Sequence, residues 1–160
     1  MSTALPEPVP RRRATPAAAP LDMAPLAGHV GFLLRLAQQR VFEEFHRGFS
    51  AAGISPARYS VLALLHANPD VQQGRLAEAL RVKPSNMAVL LAEMEAQGLL
   101  DRRVDAANRR ANLLRLTTAG RRLYETLTPE ILAMEQQVAH RLTPTQYATL
   151  IKLLAKLSPP

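Results

Sequence analysis

"QGRLAEALRVKPSNMAVLLAEMEAQGLL", residues 73–100, reads as two short helices joined by a tight turn. Leu76, Ala77 and Leu80 share one face of the first segment, and Met87, Leu90, Leu91 and Met94 share one face of the second. Ala77 is small where two helices must cross closely, Val82 plugs the turn, and Gly98 ends the second helix. This is the spacing of a helix-turn-helix. The second helix opens with Ser85 and Asn86, carries Ala88 and Val89 on its outer side, and has Lys83 just before it. Short polar side chains at a helix start can approach base edges in a major groove, and free backbone N–H groups there favour phosphate. Asn86 suits a bidentate pair with adenine, and Ala88 or Val89 suits a thymine methyl. The same residues also make an ordinary first turn, so this helix alone leaves both readings open.

The next stretch separates them. "DRRVDAANRRANLLR", residues 101–115, puts five arginines into fifteen positions around a small polar centre, Asp105 to Asn108. Leu99 and Leu100 before it, and Leu113, Leu114 and Leu116 after it, sit where strands would bury one face. A short hairpin follows, with arginine on its tip and arms. From Arg102 to Arg122 there are seven arginines against one acid, Asp105, and the whole chain carries a net charge of +7. Such a stripe suits a polyanion, the competing reading being a solvated basic face. Tethered beside the second helix, Arg109 and Arg110 at the tip would reach an adjacent minor groove. Arg102, Arg103 and Arg115, lower down, would meet phosphates, which orient without specifying. A DNA duplex is the partner these residues call for.

The rest of the chain supplies a scaffold. With 160 residues, 48% of them apolar, there is material for one core, yet no uninterrupted stretch reaches the length of a membrane span. The absence of cysteine excludes disulfides, thiol catalysis, zinc–cysteine sites and thiol redox sensing. The first residues lack the apolar core of a signal peptide, so the expected location is the cytoplasm. Residues 1–25 hold six prolines and few large apolar groups, and are expected to be a disordered Pro/Ala/Arg-rich tail.

Residues 26–53 place Leu26, Val30, Leu33, Leu34, Ala37, Val41, Phe45 and Phe49 at helical spacing, capped by Gly53. Phe32, Leu36 and Phe42 widen the stripe, so this helix needs cover on two sides, which points to a partner subunit. Ser55-Pro56 opens the next helix, which stops near Asn68-Pro69. Thr118 to Arg141 is helical in pattern, with a kink or break expected at Pro129. Thr143, Pro144 and Gln146 start a last helix with a capping box. The fold class expected is mainly α with a small β-hairpin wing.

This order of elements resembles the MarR family of bacterial winged-helix regulators over roughly residues 28–157. The wing and its exit, "VDAANRRANLLRLTTAG", are similar to the family's D-x-x-D-R-R…L-T-x-x-G pattern at Asp105, Arg109, Arg110, Leu116, Thr117 and Gly120. "LAEALRVKPSNMAVLLAEMEAQGLL" resembles its L-A-x-x-L-G-V-x-x-S-x-V-x-x-x-L-x-x-L-E-x-x-G-L. Three positions depart from the pattern. Asn108 stands where an acid usually braces the tip arginine. Arg81 stands where the turn often has glycine, at a cost on the order of 1 kcal/mol if that position needs positive φ. Val89 occupies a recognition-helix position often polar or basic.

The resemblance implies a winged helix-turn-helix over residues 54–117 and a helical dimerisation region over 26–53 and 118–158. It implies a homodimer on an inverted-repeat operator, with half-sites about one helical turn apart. It further implies a repressor released by a small aromatic or anionic ligand wedged between the dimer helices and the winged-helix lobe. There His29, Phe32, Arg35, Leu36 and Tyr59 would form an apolar box with one cation. The four histidines, His29, His46, His66 and His140, have no ligand spacing, so no metal site and no cofactor are expected. No nucleophile, base or phosphate loop makes a catalytic set, so the chain is not read as an enzyme. An architectural DNA-binding protein without an effector is the alternative; a protein-binding winged helix sits poorly with the arginine bias.

Overall fold

The computed structural model describes residues 21–104 and 112–158. In chain order they form α1 (Val30–Phe49), α2 (Pro56–Ala67), β1 (Val71–Gln72), α3 (Gln73–Ala79), α4 (Pro84–Ala96), β2 (Leu100–Val104), β3 (Asn112–Leu116), α5 (Thr118–Val138) and α6 (Pro144–Leu157). Short 3-10 turns lie at Ala24–Leu26 and Ser50–Ala52.

Three of the helix ends are built alike. After α1, Gly53 takes φ +69°, its N–H donates to Ser50 O at 2.9 Å, and the Ile54 N–H donates back to Phe49 O at 3.2 Å. After α4, Gly98 takes φ +69°, with Gly98 N–H to Glu95 O at 2.8 Å and Leu99 N–H to Met94 O at 3.0 Å. The turn after α3 repeats the pattern with Arg81 in the left-handed position, at φ +51°. Its N–H reaches Glu78 O at 3.0 Å, and Val82 N–H reaches Ala77 O at 2.9 Å. These closures satisfy carbonyls that a helix end leaves without partners, and they want glycine at the left-handed residue. Two have it; the helix-turn-helix turn does not.

Helix starts are equally local. Ser55 Oγ accepts the Arg58 N–H at 3.3 Å, with Pro56 opening α2. Thr143 and Gln146 close the expected capping box, at 3.3 Å and 2.9 Å.

The core lies under the helix-turn-helix. Val61, Leu62 and Leu65 of α2, Leu76 of α3, Met87, Leu91 and Met94 of α4, Leu100 of β2 and Leu114 of β3 are all buried. Leu127 and Ile131 of α5 join it, as do Phe45 and Phe49 of α1, whose rings lie 4.9 Å apart. Most of the α1 stripe stays outside: only Phe45 and Phe49 of that helix are buried in the chain.

The expected hairpin is part of a larger sheet. β1 adds a third strand, giving the order β1-β3-β2, all antiparallel, with Val71 opposite Leu114 and Leu100 opposite Leu116. A two-residue strand carries no period for a sequence pattern to show.

Of the kink or break expected at Pro129, the break does not occur: α5 is one helix of 21 residues with Pro129 inside it. Pro129 frees the carbonyl of Glu125, but both residues are exposed, so water can take that carbonyl. One turn back from Thr128, its Oγ1 donates to Tyr124 O at 2.7 Å.

Candidate nucleic-acid interface

α4 turns Met87, Leu91 and Met94 inward and leaves Ser85, Asn86 and Val89 on its outer face, Val89 at 60% exposure. Ala88 lies on the flank, half-buried. Lys83 precedes the helix, exposed, and provides no side-chain cap; Pro84 has no N–H. The first helical N–H with a backbone partner is that of Met87, bonded to Lys83 O at 3.0 Å, so those of Ser85 and Asn86 are open to an incoming acceptor. The result is a convex ridge of short side chains with donors at one end, which a major groove admits.

Beside it the sheet fixes the arms of the wing. Arg102 lies half-buried on β2; its Nε donates to Glu95 Oε2 of α4 at 2.7 Å and its Nη1 to Gln73 Oε1 of α3 at 3.3 Å. Arg115 on β3 grips Asp70 with both sides of its guanidinium: Nε to Oδ1 at 2.9 Å, and Nη2 to Oδ2. Asp70 itself sits at φ +61° in the turn between α2 and β1. The hydrogen bond from Arg115 holds the Asp70 carboxyl below its ordinary range, with the charges of Arg115 and Arg103 acting the same way. Exposed pairs of this kind add little stability, but a bidentate fork fixes direction. Arg103 is exposed and Val104, at 63% exposure, leads toward the tip. Asp105, Asn108, Arg109 and Arg110 lie outside the described residues.

The wing segment is poor in acids by sequence, yet two of its arginines find carboxylates from elsewhere: Glu95 seven residues away and Asp70 forty-five residues away. Neither acid could be singled out from the sequence, because neither pairing has a local spacing. Arg58 was also missed. Its Nη1 donates to Gly53 O at 2.6 Å and its Nη2 to Gln97 Oε1, tying the end of α1 to the end of α4.

Thr117 and Gly120 set where the wing hands over to α5. Thr117 Oγ1 accepts the Gly120 N–H at 3.0 Å and donates to Gly98 O at 2.6 Å. A Cβ on Gly120 would lie 2.0 Å from Leu99 O. Only glycine lets α5 begin against the backbone that ends α4.

The five residues expected to line a ligand pocket fall on α1, on its N-cap and on α2. Phe32 and Arg35 lie on the outer part of α1, Arg35 over the Phe32 ring at 5.2 Å, with Leu36 exposed beside them and His29 exposed as the N-cap. Tyr59 belongs to the α2–α5 contact, stacked on Tyr124 at 5.9 Å with its hydroxyl on Thr128 Oγ1 at 3.3 Å. Among the described residues no group of His, Asp or Glu is arranged to hold a metal, and no helix is long and apolar enough to cross a membrane.

An open recognition helix, a sheet-anchored basic hairpin and the helices around them define a winged helix-turn-helix DNA-binding protein. A model described as the MarR family matches residues 52–111. A transcriptional regulatory protein for an hcr operon from Thauera aromatica is 30% identical over 133 residues, covering 82% of this chain and 80% of that protein. The chain belongs to the MarR family and is a DNA-binding transcriptional regulator, not an enzyme. Among solved structures, the transcriptional repressor CouR, bound to a 23-mer DNA duplex, is 31% identical with a TM-score of 0.80, over 88% of this chain and 99% of that one. BpsR of Bordetella bronchiseptica, whose DNA binding is regulated by 6-hydroxynicotinic acid, is 26% identical with a TM-score of 0.79, over 89% and 99%.

Proposed function

We propose that the protein is a homodimeric repressor that holds an inverted-repeat operator and leaves it when a small aromatic or anionic molecule binds. In this reading residues 54–117 carry the DNA contacts, and residues 26–53 and 118–158 join the two copies. The observation that carries the dimer is α6: it buries none of its residues within its own chain, although Leu150, Ile151, Leu153 and Leu157 are 40–62% exposed. With Leu34, Val41 and Phe42 of α1, Leu150, Ile151 and Leu154 line a cleft of about 490 Å³. An apolar surface of that extent needs cover, and a second copy offers the same face in return.

On DNA, Lys83, Ser85, Asn86, Ala88 and Val89 would meet the major groove, Asn86 reading adenine. Arg109 and Arg110 would enter the minor groove. Arg103 would meet phosphate freely, whereas Arg102 and Arg115 would do so while shared with Glu95 and Asp70. The DNA-bound state of CouR and the ligand response of BpsR support this reading. Selection of binding sites from random duplexes, repeated with a panel of aromatic acids, tests it. A palindromic consensus lost on adding one acid is expected. A weak, non-palindromic preference indifferent to every acid would favour an architectural protein. Ile151→Glu is expected to yield monomers by sedimentation; an Ile151→Glu dimer would take α6 out of the interface.

A further inference from the structure

β2 and β3 carry three arginines, Arg102, Arg103 and Arg115, and the fold treats them unequally. Arg103 is exposed and makes no hydrogen bond or ion pair with a described residue. Arg102 is tied by Nε to Glu95 of α4 and by Nη1 to Gln73 at the start of α3. Arg115 is tied by Nε and Nη2 to the two oxygens of Asp70, and Asp101, opposite it on β2, attracts it across the sheet. Both pairs lie at the surface, with 38% of the Asp70 side chain and 40% of the Glu95 side chain exposed, where an ion pair adds little stability. What such a pair does is fix the direction of a guanidinium and offset its charge. The Asp70 fork engages Nε and Nη2 of Arg115, and the remaining N–H donors can reach a phosphate only along that fixed direction.

We propose that Asp70 and Glu95 are specificity determinants for DNA: they turn Arg115 and Arg102 from mobile charges into directed donors. This role rests on the operator reading above. A mobile arginine follows the phosphate backbone in any register and releases a counterion wherever it lands. A directed one meets phosphate only where the recognition helix is seated, because phosphate contacts fix register. The two acids therefore weaken binding to arbitrary sequence and leave the seated complex nearly as strong.

The test compares full-length Asp70→Asn and Glu95→Gln with the parent on a random-sequence duplex and on the consensus duplex from site selection, each over a salt series. Asparagine accepts the left-handed backbone at position 70 as aspartate does, so the turn is kept. On random duplex, each variant should steepen the slope of log K against log salt by about 0.9, a gain of about eightfold at 0.1 M salt. On the consensus duplex, where the arginines already face phosphate, the gain should stay below about twofold. Glu130→Gln removes an exposed acid of α5, changes the net charge equally, and should leave both slopes as they are. Adding Arg115→Gln to Asp70→Asn should return the random-duplex slope to that of the parent. Unaltered slopes in Asp70→Asn and Glu95→Gln, or an equal gain on both duplexes, would overturn the role. So would a Glu130→Gln protein that matches them, or a steep slope that survives the loss of Arg115. The random-duplex slope is read without any operator, so a missing consensus would sink the operator reading while the release of the arginines stands or falls on its own number.

Discussion

Replacing Gly120 by alanine adds one methyl group to a helix and should nonetheless destabilise the protein. The new Cβ would stand 2.0 Å from Leu99 O, 2.9 Å from Leu99 C and 3.3 Å from Leu116 Cδ2, the first two being backbone atoms that cannot swing away. Reaching a 3.4 Å contact requires the start of α5 to retreat by about 1.4 Å. That movement stretches the Thr117 N–H to Leu99 O bond (3.1 Å) and the Thr117 Oγ1 to Gly98 O bond (2.6 Å). Two weakened hydrogen bonds at about 1 kcal/mol each, plus overpacking at Leu116, exceed the gain of about 1 kcal/mol that alanine brings to a helix. The net expectation is a loss of about 2 kcal/mol. Urea unfolding of the full chain measures it, with Gly74→Ala as the control. Gly74 is also helical, has nothing within 4 Å of its would-be Cβ, and should leave stability level or up to about 1 kcal/mol higher. A Gly120→Ala protein as stable as the parent would refute the claim that this contact dictates where α5 begins.

Other outcomes follow from the same geometry. At the left-handed position of the helix-turn-helix turn, Arg81→Gly should be more stable than Arg81→Ala by about 1 kcal/mol in denaturant unfolding; equal midpoints would show that the backbone there is not under strain. Asn86→Ala should relax preference at one base pair by about 1–3 kcal/mol, whereas equal losses on operator and random duplex would deny it a reading role. Arg110→Ala should lower the salt slope of operator binding by about one unit, and an unaltered slope would take the wing tip out of the interface. Asp70 should titrate below 3.8 by NMR and move up in Arg115→Leu. Because its folded pKa is depressed, the pair's contribution is present above the ordinary carboxylate range, about pH 4, and fades as pH falls through the lowered value. An Asp70 titration that ignores the loss of Arg115 would contradict the assigned cause.

Much of this architecture is local in origin and so is written in short spans of sequence. Ser55-Pro56 and Thr143-Pro144 with Gln146 announce helix starts through bonds made within three residues. Gly53 and Gly98 announce helix ends, and the 3.6-residue spacing of Met87, Leu91 and Met94 announces which face of α4 is inward and therefore which residues stay on its outer face. The arginine-rich hairpin was legible for the same reason: alternation and charge density are properties of neighbours.

Only the folded chain decides what lies between distant segments. It pairs Asp70 with Arg115 and Glu95 with Arg102, recruits Val71 and Gln72 as a third strand, and carries α5 past Pro129 at an exposed part of the helix. It also sets Tyr59 against Tyr124 and Thr128, and gathers Leu65, His66, Arg115 and Arg121 around one cleft. Caps and periodicity act over one or two turns and leave their mark in spacing. Ion pairs, strand partners and cavities depend on where the backbone brings remote residues, and no interval along the chain encodes that.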